Sequence, residues 1–251
     1  MNTDIQFEVC VDSADGARAA QDVGAHRVEL CCALFEGGLT PSAGLVQTTL
    51  RAAPRLEVNV LIRPRAGDFV YNELEASTML SDIGQAAAAG VHGIVIGALT
   101  PDGDVDVRLC RAMMDAAPEQ TVTFHRAFDM VHAPFQALET LISLGIDRVL
   151  TSGQESSALE GAPLLAQLVA SAANRIQVMP GAGVTPTNAQ RILQLTGARN
   201  LHFSARTTED SPVRHRNPRP AMGGYLRHDE FVRHITSESG IRGVISATTT
   251  S

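Results

Sequence analysis

Several common signposts are missing from this 251-residue chain. Its first residues, "MNTDIQFEVC", hold no cationic stretch followed by an apolar one, so no secretory leader is expected. No window of about 18 uninterrupted apolar residues occurs, which excludes a membrane-spanning helix. There is no run of like charges, and the formal net charge is -7, so neither nucleic acid nor a membrane surface is an expected partner. Cysteine is scarce: four residues, without the His/Cys spacing of zinc sites, read as free thiols in a reducing, cytosolic setting.

What is present is rhythm. Short β-branched runs at 6–11, 27–31, 57–62, 93–97, 121–125, 147–151, 175–179 and 200–204 alternate with Ala- and Leu-rich stretches. Those stretches, at 14–23, 43–52, 73–89, 106–116, 134–144, 158–172 and 187–196, have helical length. Such alternation predicts βαβ crossovers and a parallel sheet. Gly24, Gly90, Gly145 and Gly197 each stand where a helix should stop, followed within about three residues by a strand. Eight units in a chain near 250 residues predict a (β/α)8 TIM-like barrel. An open doubly wound sheet is the rival, but "DSADGA" after the first strand is no dinucleotide fingerprint.

The expected organisation is a single barrel domain over 1–236 with a frayed tail at 237–251. Residues 205–228 read as an irregular extension, and 229–236 as a short closing helix.

In a barrel, chemistry belongs at the C-terminal strand ends. "FEVC" and "VELC" place Glu8, Cys10, Glu29 and Cys31 there, and residues two apart share a face. Cys10 and Cys31, on neighbouring strands about 4.8 Å apart, read either as buried packing or as a thiolate pair for a soft ion such as Cu(I). Arg63 and Arg65 ("RPR"), His125 and Arg126 ("FHRAFD"), Gly181 and Gly183 ("PGAG") and Ser204 ("FSAR") gather at the same end. They read either as a structural Arg–Glu ring or as an acid/base pair with an anion clamp for a small anionic metabolite. In the second reading Glu8 or Glu29 is the base, His125 the acid, and the arginines, the glycine loop and Ser204 hold the anion. His202 reads as a satisfied core histidine.

Together "EVCVDS", "GAHRVELC", "EGGLTPSAG", "IRPRAGDFVY", "TFHRAFDM", "RVLTSG", "MPGAGV" and "FSAR" resemble the CutC family, with most likeness to its eukaryotic-type members, over roughly 5–225. That resemblance implies a TIM-like barrel, a cytoplasmic location, a homo-oligomer and a part in copper homeostasis. It also implies copper ligation by the cysteines of the "EVC" and "ELC" motifs, here Cys10 and Cys31. The reading retained beside it is a barrel enzyme working by Glu/His acid-base chemistry on a phosphate- or carboxylate-bearing, sugar-like metabolite.

Overall fold

The computed structural model describes residues 5–220 and 229–249. Eight parallel strands follow the expected order: β1 Gln6–Val11, β2 Arg27–Leu30, β3 Glu57–Leu61, β4 Gly93–Ile96, β5 Thr121–Phe124, β6 Arg148–Thr151, β7 Gln177–Pro180 and β8 Asn200–Phe203. Each is hydrogen-bonded to its sequence neighbours from β1 to β7, and β8 closes onto β1. The β7–β8 seam carries no ladder, so the barrel is closed but for that gap. Seven crossover helices alternate with the strands: α1 Ala14–Asp22, α2 Ala43–Ala52, α3 Glu73–Ala88, α4 Val107–Asp115, α5 Pro134–Leu144, α6 Ala162–Ala172 and α7 Ala189–Thr196.

The helix boundaries have local causes. Ser13, Ser42, Asn72 and Asp106 accept backbone N–H bonds at the starts of α1 to α4, relieving donors that the helix leaves unpaired. At the other ends, the four glycines singled out from sequence take φ of 87°, 83°, 83° and 70°, a region costly for residues bearing a Cβ. The last crossover helix starts after Asn188, two residues later than expected.

Strand parity divides the core. Phe7, Val9, Val11, Val28, Leu30, Val58 and Val60 join the apolar layer between barrel and helices. Their neighbours turn inward, where Cys10, Cys31, Leu61 and Val95 form a small separate cluster. Below that cluster the barrel interior is polar. Arg27 Nε donates to Glu8 Oε2 at 2.9 Å, and Arg27 Nη2 donates to Asn200 Oδ1 at 2.7 Å.

Beyond β8 the structure departs from expectation. Residues Arg206–Asp210 (β9) and Val232–Thr236 (β10) pair as an antiparallel hairpin, so the segment read as a closing helix is largely strand. Part of the stretch read as irregular is therefore ordered, while 221–228 lie outside the described residues. The segment read as a frayed tail is helix α8, Glu238–Thr249, lodged between α7 and α1. Ile241 and Val244, three apart on one face, are buried there. Short Ser-, Gly- and Thr-rich surroundings hid that two-residue apolar stripe.

Candidate functional site

The strand ends open into a cavity of about 490 Å³. Its floor comes from β1, β2 and β8. Cys10 stands opposite Glu29 in the β1–β2 register, and Glu8 stands opposite His202 in the β1–β8 register. Cys31 follows one residue past the end of β2. The two sulfurs come within 3.7 Å of each other, and Cys10 Sγ lies 3.8 Å from Glu29 Oε1. Cys31 Sγ donates weakly to the Val11 carbonyl at 3.6 Å. Ligand atoms of Cys10, Glu29 and His202 all fall within 4.8 Å of one another.

Electrostatics separates the two glutamates. Burial alone would raise the Glu8 pKa. The hydrogen bond with His202 and the charges of His202, Arg27 and Arg148 outweigh it and bring Glu8 down to about 2. Glu29 is pushed up to about 7 by burial, with the Glu8 charge adding and His202 opposing. Burial works against the His202 charge too, yet its bonds to Cys10 and Glu8 and the two carboxylates raise it well above the ordinary histidine value. The hydrogen bond with Cys31, then burial, push the Cys10 thiol well up, so it rests protonated.

The far wall is built by β3 and the loops after β3, β5 and β7. His125 follows directly on β5, its ring against Phe69 with centroids 5.1 Å apart. A methyl at Gly97 would collide with that ring, so glycine is needed beside it. His125 Nδ1 accepts the Ala127 N–H at 3.1 Å, which leaves the ring proton on Nε2. Burial, then the Arg63 charge, lower its pKa to about 3, so the imidazole is neutral. Arg63 Nη1 donates to the Glu36 and Gly38 carbonyls at 2.7 and 3.0 Å, and Nη2 to the Gly67 carbonyl at 3.1 Å. Among the described residues, three buried polar atoms of cavity-lining side chains have no hydrogen-bond partner: Glu29 Oε2, Arg63 Nε and His125 Nε2.

Most of the residues singled out from sequence meet here: Cys10, Glu29, Arg63, His125, Arg126, Gly183 and Ser204 line the cavity, and Cys31 sits behind Cys10. Three do not serve as read. Glu8 lies beneath the cavity, wholly buried and bound by Arg27, Asn59 and His202, so it orients His202 and cannot act as a base on a ligand. Arg65 turns away to bind Glu75 at 2.6 Å and Asp68 at 3.1 Å, bracing the loop after β3. Gly181 lets the chain pass over Leu150 and His202, and its amide donates to the Thr151 carbonyl at 3.0 Å. Arg126 keeps its place on the rim but is paired with Asp129 at 2.7 Å. His125, held neutral, offers a fixed N–H donor rather than an acid proton.

Two residues were not singled out from sequence. Arg27 supplies the counter-charge of Glu8, where the sequence reading looked to Arg63, Arg65 and Arg126. His202 belongs to the floor rather than to the passive core. Its signal was parity with Ser204, which places it inside the barrel as soon as β8 pairs with β1.

Comparison with known proteins identifies the family. The family model of the CutC family matches residues 5–207. The copper homeostasis protein cutC homologs of Mus musculus and Homo sapiens are each 50% identical to this chain over 236 residues, covering 94% of it and 86% of each relative. Among solved structures, a CutC protein from Streptococcus agalactiae superposes with a TM-score of 0.77 at 33% identity, covering 80% of this chain and 98% of that one. This (β/α)8 barrel belongs to the CutC family.

Proposed function

We propose that this chain binds Cu(I) through Cys10 and Cys31 and serves intracellular copper homeostasis. The observation that carries the reading is the 3.7 Å separation of two thiols at the base of a cavity that Cys10 lines. Two sulfurs each about 2.3 Å from one ion, the zinc–thiolate length, stand about 3.8 Å apart at a tetrahedral angle. A bent site thus fits with little movement, and a linear one asks for roughly 1 Å more. Thiolates favour soft ions, and Cu(I) is the copper state of a reducing compartment. Loading releases the thiol protons, and Glu29 stands beside Cys10 to accept one of them.

Parity also argues against a disulfide. Cys10 is level with Glu29, so Cys31 is offset by two residues on the next strand. Strand spacing and rise then set the two Cα atoms roughly 8 Å apart, beyond the usual disulfide limit of about 6.8 Å. The pair is built to meet through an ion rather than through a bond.

Anaerobic Cu(I) competition against a chromophoric chelator tests the proposal. The expected result is about one ion per chain in wild type, with affinity lost in both Cys10→Ser and Cys31→Ser. Equal affinity in all three proteins refutes the site. On this reading the protein works in the cytosol, and light scattering would measure the homo-oligomer that the family resemblance implies.

A further inference from the structure

The copper pair leaves the opposite wall of the cavity unexplained. Two copper thiols have no use for a buried cation or for a histidine held neutral. Arg63 is only 8% exposed, yet it pairs with no carboxylate among the described residues. Its two terminal nitrogens reach only backbone carbonyls, and Phe69 covers the guanidinium 5.3 Å from its ring centroid. A cation so placed, with Nε–H unpartnered, is costly unless an anion completes it. The chain contains no lysine, so arginine is its only fixed cation and a lysine Schiff base is not available to it.

A second donor set faces the same space. His125 is 5% exposed, and its Nε2–H has no acceptor among the described residues. After β7 the backbone takes φ of 78° at Ala182 and 67° at Gly183, and both residues line the cavity with Val184. Among the described residues, no hydrogen bond occupies the amides of Ala182, Gly183 or Val184. Consecutive free amides in such a turn form a concave anion cradle, and this loop lies where barrels commonly hold phosphate. The Ser204 side chain lines the same cavity from β8. Opposite the donors, Glu29 Oε2 has no hydrogen-bond partner among the described residues and lies 4.0 Å from His202 Nδ1.

We propose that the cavity binds a small phosphate monoester, its phosphoryl oxygens held by Arg63, His125 and the 182–184 amides, and its hydroxyl groups read by Glu29. The volume, about 490 Å³, suits a compact sugar-phosphate-sized molecule. Arginine forks and backbone amides match phosphate geometry. The proposal does not rest on the copper reading, since neither cysteine takes part in holding the anion.

The test is a titration of the metal-free protein, kept in chelator, with inorganic phosphate followed by phosphorus NMR and by the amide shifts of residues 182–184. Saturable binding is expected at or below ~1 mM, with those three amides moving. Loss of one charged hydrogen bond should weaken binding by about tenfold or more in Arg63→Gln and in His125→Phe. His125→Phe keeps an aromatic ring while removing the Nε2–H donor, so it remains informative where Arg63→Gln fails to fold. Arg175→Gln, in the turn between α6 and β7 where the arginine pairs with Glu139, should bind like wild type. Glycerol 2-phosphate should bind more tightly than methyl phosphate because it carries hydroxyls for Glu29. No saturable phosphate binding in wild type, or unchanged affinity in folded His125→Phe, overturns the proposal. Cu(I) binding measured separately stands or falls on its own.

Discussion

Replacing Glu8 by Gln should be the most damaging conservative change in the barrel interior. Glu8 is fully buried and binds Arg27 at 2.9 Å, Asn59 at 3.2 Å and His202 at 2.8 Å. The glutamine keeps the shape but removes the charge, leaving the equally buried Arg27 without a counter-ion. Removing one partner of a buried pair costs about 3–5 kcal/mol. Linkage points to a similar size. The folded pKa near 2 lies below the ordinary 4.5, a difference worth roughly 3 kcal/mol. Because the folded value is depressed, that stability is fully present above about pH 4.5 and is lost as pH falls toward 2. Urea unfolding at pH 7 followed by circular dichroism measures the loss. With a slope of about 2–3 kcal/mol/M the midpoint should fall by roughly 1–2 M. The double variant Glu8→Leu, Arg27→Met should recover much of it, because a hydrophobic pair needs no counter-charge. A Glu8→Gln loss below about 1 kcal/mol, the range of an exposed pair, would refute the reasoning.

Other expectations follow from the same geometry. Ile241→Ala should cost about 2–4 kcal/mol in unfolding experiments, because α8 is part of the helical ring; a loss near zero would return 238–249 to the status of a tail. Arg65→Ala should cost about 1 kcal/mol or less, since its ion pairs are partly exposed, and should leave both Cu(I) and phosphate binding unchanged by titration. Diamide treatment of the metal-free protein should produce no Cys10–Cys31 disulfide in peptide mass mapping, and its ready formation would contradict the strand offset.

The barrel was legible because its evidence is local. Alternation of strand and helix, and glycines at four helix ends, are visible within single units of sequence. Parity within a strand likewise brought Glu29, Cys10, Cys31 and His125 to one end. What sequence could not show depends on closure. The bond between His202 and Glu8 joins residues 194 apart and exists only because β8 pairs with β1. The choice of Arg27 as partner of Glu8 depends on register in the same way. Arg63 and Arg65 look interchangeable in "RPR", yet Arg63 continues the inward row of Asn59 and Leu61 while Arg65 lies beyond the strand in the loop. Helix α8 was hidden for a different reason. Its buried stripe is short and sits among Ser, Gly and Thr, so packing between α7 and α1 decides its structure more than helix propensity does.

Copper-edge X-ray absorption of the anaerobically loaded protein tests the central claim most directly. The account predicts a Cu(I) ion with about two sulfur neighbours in wild type and one fewer in Cys31→Ser. An ion surrounded by nitrogen and oxygen alone, or a spectrum unchanged by Cys31→Ser, would contradict it.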